Sequence, residues 1–140
     1  MGENKEEKSM ELKNVFEKFD KEGKLLLADA AIEFANIEWS KHVTFEGVEL
    51  KHIVTSKETD GKFSYHLVRI APNKKIGNHV HKEQLETHEV IAGTGNCVVN
   101  GKQINYEPGT ISILPQNVPH EVTAGKDGLY IFAKFMPALI

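Results

Sequence analysis

The sequence predicts an all-β domain, a sandwich or barrel of short strands, preceded by a helical extension. Three observations predict it. A helical hydrophobic period is confined to one stretch near the N-terminus. From about Trp39 onward, short segments of alternating apolar residues follow one another. Turn-forming pairs punctuate those segments, at Asp60-Gly61, Asn100-Gly101 and Pro108-Gly109.

Residues 1–8 are almost all polar or charged, the composition of a disordered segment. Leu12, Val15, Phe16 and Phe19 then recur at i, i+3, i+4 and i+7, while Lys13, Glu17 and Lys18 fall on the other side. This is an amphipathic helix with Gly23 as its stop, docked across the barrel or across a dimer partner. A second short helix is expected over about residues 25–35. Val48–Thr55 and Lys62–Ile70 read as strands around the Asp60-Gly61 turn. Cys97–Val99 and Lys102–Tyr106 flank Asn100-Gly101, a hairpin signal because both residues tolerate positive φ. Gly125–Gly128 reads as a further turn, and Leu129–Met136 as the closing strand. Strands this short and this frequent fit a closed or two-layered β architecture.

With 140 residues, 40% of them hydrophobic and 26% charged, the chain suits one ordinary globular domain. The net charge of −3 speaks against nucleic acid, which needs a concentrated basic surface. The lone Cys97 excludes an internal disulfide and fits a reducing compartment. No apolar run approaches the ~20 residues of a membrane helix, and the start is charged from Glu3, unlike a signal peptide. The expected location is the cytoplasm.

The informative stretch is HVHKEQLETHEVIAGTG, residues 79–95. Alternate side chains of a strand share a face, so His79 and His81 can converge on one ion. Glu86 follows after a gap that allows a short turn, and its carboxylate favours a divalent cation. A third histidine, His120, sits in ILPQNVPHEV, which reads as strand, turn and strand. His88 shares the parity of Glu86 and should point into the same interior.

The spacing H-x-H-x4-E-x6-G, from His79 through His81 and Glu86 to Gly93, resembles the first cupin motif. Gly109, Pro115 and His120 are similarly in register with the second. The resemblance spans roughly residues 45–136. It implies a double-stranded β-helix, the jelly-roll cupin barrel, over 41–140, with 1–40 as an N-terminal extension carrying the amphipathic helix. It also implies that His79, His81, Glu86 and His120 bind one divalent transition metal: Fe, Mn, Ni, Co or Zn. The sequence departs from the motifs at Asn73, Asn117 and Ala124, where the family carries glycine, glycine and asparagine. Asparagine tolerates left-handed turns, so the first two departures are compatible with the fold.

The resemblance points to a small molecule bound in the barrel and, because cupins are commonly dimers, to a homodimer. The expected function is a mononuclear metal-dependent enzyme of dioxygenase or isomerase/lyase type. The alternative is a non-catalytic binding or sensor barrel, in the limit one whose pocket histidines are hydrogen-bonded and metal-free. His88 is the catalytic candidate, since imidazole can move a proton near neutrality. The same position also suits a ligand-orienting residue, a substrate contact or a packed histidine. His52 and His66 can line the pocket from preceding strands, and His42 is expected at the surface. Tyr65, Arg69, Tyr130 and Lys134 can bind an anionic substrate if they face inward. Cys97 is expected to be a small buried hydrophobe.

Overall fold

In the computed structural model, which describes residues 5–140, the N-terminal period becomes helix α1, Lys5–Glu22. The disorder expected for residues 1–8 is corrected for 5–8, which belong to the helix. Residues 1–4 lie outside the described residues. Glu6 and Glu7 in the first turn and Lys21 in the last complement the helix dipole. The buried face is rotated from the expected stripe. Phe16 and Asp20 are buried and Leu12 half-buried, whereas Val15 and Phe19 remain 48% and 43% exposed. The rotation follows from what the helix meets. The Phe16 ring packs against Tyr130, Phe132 and Trp39, at centroid distances of 5.1, 6.0 and 6.2 Å. Asp20 faces the buried ammonium of Lys51, which also donates to the Phe34 and Asp20 carbonyls at 2.7 and 3.2 Å. The Trp39 indole N–H donates to Asp20 at 3.0 Å. Every partner of this buried charge is thus provided for, as burial demands.

The helix ends at Glu22, and the next position must be glycine, because a Cβ on Gly23 would lie 2.3 Å from the Phe19 carbonyl oxygen and 2.7 Å from the Phe34 ring. The helix expected over about 25–35 is replaced by a hairpin of β1 (Lys24–Leu26) and β2 (Ala31–Glu33), followed by a 3-10 turn at Phe34–Asn36. Leu25 and Ile32 face each other there, and Phe34 inserts beneath α1, so burial overrides local helix propensity.

The barrel comprises β3 (Ser40–Lys41), β4 (Val48–Val54), β5 (Ser64–Ile70), β6 (Lys75–His79), β7 (Leu85–Val99), β8 (Lys102–Tyr106), β9 (Ile111–Leu114) and β10 (His120–Met136). Strand order is β3-β4-β5-β10-β7-β8, with β6 on β10 and β9 on β7, all antiparallel. The long strands β7 and β10 serve both faces. Their halves near Glu86 and Phe135 pair with β9 and β5, and their halves near Cys97 and Val122 pair with β8 and β6. This makes the jelly-roll barrel. Gly125–Gly128 is a bulge within β10 rather than a turn between strands: the register jumps from Ala124–Gly95 to Leu129–Gly93. Gly93 is required at that bulge, because a Cβ would lie 2.0 Å from the Gly128 carbonyl oxygen.

Between β4 and β5 lies a one-turn helix, α2 (Ser56–Thr59), closed by a Thr55–Glu58 capping box. It shortens both neighbouring strands relative to the expected Val48–Thr55 and Lys62–Ile70. Two apolar clusters result. One fills the barrel with Val68, Ile70, Ile131 and Phe135. The other, with Phe16, Leu67 and Phe132, seals α1 to the outer face. No described helix is long and apolar enough to cross a membrane.

Candidate metal centre

His79 ends β6 and stands directly opposite His120, which opens β10. Their rings lie 4.2 Å apart, centroid to centroid. His81 follows beyond the strand end, and Glu86 enters from the start of β7. The turn before His120 is tied to this segment. The Asn117 N–H donates to the His81 carbonyl at 2.9 Å, and the Gln116 amide donates to that of Lys82 at 2.6 Å. Asn73 and Asn117 take φ of 63° and 65°, so asparagine holds the left-handed turns expected of it. Ala124 packs into the barrel core.

One ligand atom from each of His79, His81, Glu86 and His120 lies within 4.8 Å of the others. Glu86 Oε1 is 3.0 Å from His120 Nε2 and 3.4 Å from His81 Nε2. Yet Glu86 Oε1 and His120 Nε2 are buried without an aligned hydrogen bond. Burying polar atoms without aligned hydrogen bonds is costly, and a cation among them would reduce the cost. The outer nitrogens support this arrangement. His79 Nδ1 lies 2.7 Å from the Gly77 carbonyl and His120 Nδ1 lies 3.2 Å from that of Val118. Nδ1–H donation there leaves both Nε2 lone pairs facing inward, the usual condition of a metal-binding imidazole. The donor set fits a divalent transition metal.

Charge on the cluster is strongly coupled. Burial favours a neutral Glu86, but His88 and His120 outweigh it and hold the carboxyl well below the usual range. Burial opposes protonation of His120, yet the adjacent carboxylate raises its pKa. For His79 and His81 burial prevails and the pKa falls, which favours the neutral, ligating form.

His88 is buried at the parity expected, and both its ring nitrogens are engaged. Nε2 lies 2.7 Å from Glu86 Oε2, and Nδ1 lies 2.9 Å from the Tyr106 hydroxyl. Tyr106 is a residue the sequence reading missed; parity along β8 alone gives no signal that it meets His88. Cys97 is buried in the core, as expected, and burial raises its thiol pKa.

Other candidates are placed differently. His52 and His66 face each other, Nδ1 to Nδ1 at 2.7 Å, with His66 Nε2 2.7 Å from Ser64 Oγ. They are not among the residues lining the cavity over the cluster. His42, expected at the surface, is half-buried and lines that cavity. Its Nδ1 accepts the backbone N–H groups of Thr44 and Phe45. Tyr65, Arg69, Tyr130 and Lys134 lie on the outer face, since Val68, Ile131 and Ala133 take the inward parity. There Tyr65 and Lys134 bind Glu89, and Arg69 binds Glu49 at 3.0 Å while stacking 3.8 Å over Trp39.

The cavity measures about 310 Å³ and is lined mainly by apolar side chains, among them Leu50, Ile76, Ile131 and Phe135. His79, His81 and Glu86 form its polar end.

Residues 66–131 match the family model described as a cupin domain. No curated protein matches the chain. Solved structures share its fold. A predicted oxalate decarboxylase from Thermotoga maritima aligns at TM-score 0.66 and 19% identity, covering 74% of this chain and 95% of that one. A cupin described as RmlC-like, from Shewanella frigidimarina, aligns at 0.65 and 15%, covering 75% and 87%. KdgF from a Halomonas species aligns at 0.63 and 16%, covering 71% and 86%. At these identities the likeness concerns the fold.

Proposed function

The chain belongs to the cupin superfamily, and from that premise we propose that it is a mononuclear metal-dependent enzyme acting on a small molecule in the barrel. The observation that carries the reading is the convergence of four ligand atoms at one end of an apolar cavity, with Glu86 Oε1 and His120 Nε2 buried 3.0 Å apart and without an aligned hydrogen bond. His79 and His120 through Nε2, His81, and Glu86 through Oε1 would hold the ion. A bound divalent metal would supply Lewis-acid polarisation of a substrate oxygen or, as iron, oxygen chemistry. The apolar walls would exclude water and strengthen electrostatic interactions with the bound molecule. His88 would act beside the centre through Glu86, holding the carboxylate so that Oε1 faces the ligands. Among the solved structures sharing the fold are an ectoine synthase and a polyketide cyclase, which agrees with chemistry on small molecules.

A second reading, a binding or sensor barrel without turnover, is favoured by one observation. Apart from His79, His81 and Glu86, the cavity's titratable groups are His88 and His42, and both have ring nitrogens already engaged. The bound metal discriminates. Iron points to oxygen chemistry, zinc or nickel to isomerase or lyase chemistry, and lack of metal to the binding module. Cobalt reconstitution tests the open position directly. Visible bands that shift on adding acetohydroxamate support it. A protein that takes up no cobalt, or whose bands ignore the hydroxamate, contradicts it.

We place the protein in the cytoplasm, supported by its single buried thiol, and read it as a homodimer. The support for the dimer is strand β9, paired on one side by β7, where Ile111 and Ile113 remain 70% and 64% exposed.

A further inference from the structure

Two cavities meet at His42 and Phe45. The metal-end cavity of about 310 Å³ and an outer groove of about 590 Å³ are separate spaces, and His42 and Phe45 line both. The two differ in character. The first is apolar, whereas Lys41, Glu46, Arg69 and Lys74 border the second. Phe45 belongs to the loop between β3 and β4, whose tip, Val43, is 99% exposed.

The loop is held largely by its own atoms. The Thr44 and Phe45 N–H groups donate to His42 Nδ1 at 3.0 and 3.2 Å, and the His42 N–H donates to the Val48 carbonyl at 2.8 Å. Outside the loop and β4, the Ala71 N–H donates to the Gly47 carbonyl at 2.8 Å, next to β5. The Phe45 ring itself rests on the barrel only by apolar contact. Its seat is Gly77, where a Cβ would lie 2.7 Å from the ring edge. In that seat its centroid is 6.4 Å from the His79 ring. A phenyl group held by contact, over a glycine, beside a ligand histidine and between two spaces, is placed to divide or to join them.

We infer that Phe45 is the gate of the cavity and limits the length of the ligand it admits. The ligand class, resting on the metal reading above, has an oxygen-donor head at the histidine–glutamate cluster and an apolar body that fills the cavity. Any longer tail leaves past Phe45 into the outer groove. His42 acts as a positioning residue, fixing the loop that carries the ring.

The test uses the full chain and two variants, Phe45→Ala and Gly77→Ala. The first removes the ring and the second unseats it, so both should open the gate. Circular dichroism establishes that each is folded, and Phe45→Ala carries the prediction alone if Gly77→Ala is not. Before metal loading, carbethoxylation of His79 and His81 by diethylpyrocarbonate is timed by peptide mass, with His52 as the internal control. Both variants should react several-fold faster at His79 and His81 only. After cobalt loading, acetohydroxamate and decanohydroxamate are titrated by visible absorption. The affinity ratio of long to short should rise about tenfold, the worth of roughly two buried methylenes. Unchanged carbethoxylation overturns the gate whatever the cobalt does. An unchanged ratio in cobalt-loaded protein overturns the limit on length. Faster carbethoxylation in a protein that never binds cobalt leaves the gate standing and removes the metal reading.

Discussion

The two oxygens of Glu86 face different histidines: Oε2 lies 2.7 Å from His88 Nε2, and Oε1 lies 3.0 Å from His120 Nε2. His88 in turn reaches the Tyr106 hydroxyl. The carboxylate is therefore gripped from behind by a residue two positions along the same strand. A strand returns to the same face every second residue, so this grip is a direct consequence of the E-x-H spacing.

Removing the grip should loosen the ligand rather than delete the site. His88→Ala is expected to weaken metal affinity about 10–100-fold, as loss of outer-shell partners does. His88→Gln, which can still donate to Glu86, should recover part of that loss. His79→Ala should abolish stoichiometric binding. Competition against a chromophoric chelator measures all three. Equal loss in His88→Ala and His79→Ala would make His88 a ligand.

Stability should rise with pH between about 4 and 6.5 in metal-free protein. Burial, with His52 beside it, pushes the His66 pKa down to about 4. In that window the unfolded chain binds a proton at His66 and the folded chain does not, so acidification favours unfolding. His42, His52, His79 and His81, all lowered by burial, act in the same direction, and the raised His120 opposes them. His66 alone accounts for roughly 3 kcal/mol across the window. Urea unfolding at several pH values should show a shallower slope for His66→Gln. An identical slope would contradict the assignment.

The helix is an anchored part of the fold. Phe16→Ala should cost about 3–5 kcal/mol, the range for truncating a buried aromatic ring. Lys51→Met should also destabilise, because it strands the Asp20 carboxylate without its buried partner. Thermal melts of these variants and of a chain lacking residues 1–22 test this. An unchanged melting temperature in the truncated chain would show that α1 contributes nothing.

If β9 joins two copies, Ile111→Lys and Ile113→Lys should each shift a dimer towards monomer in sedimentation. A wild-type protein that is monomeric at all concentrations, or lysine variants that dimerise as well as wild type, would contradict this interface.

Much of this arrangement was legible in the sequence because strand periodicity and turn chemistry are local. The Asn100-Gly101 hairpin needs only its own two residues, and Asn73 and Asn117 reveal their left-handed turns by residue type. The grouping of His79, His81, Glu86 and His120 followed from motif spacing. What was not legible depends on tertiary partners. The short hairpin at residues 24–33 replaces a helix because Phe34 is buried under α1. The burial of Lys51 depends on Asp20, Phe34 and Trp39, which only the tertiary fold brings around it. Tyr65, Arg69, Tyr130 and Lys134 needed the absolute face of β5 and β10, which alternation alone does not give. Phe45 carries no pattern at all; its place appears only when Gly77 and His79 fold beneath it.

The central claim is the metal. Elemental analysis of protein purified without a histidine tag tests it most directly, on wild type and on His79→Ala, His81→Ala and His120→Ala, with circular dichroism to establish the fold. The account predicts close to one divalent transition metal per wild-type chain and strong loss in each variant while the barrel remains folded. Wild-type protein that never contains metal, or single variants that keep the full content, would contradict it.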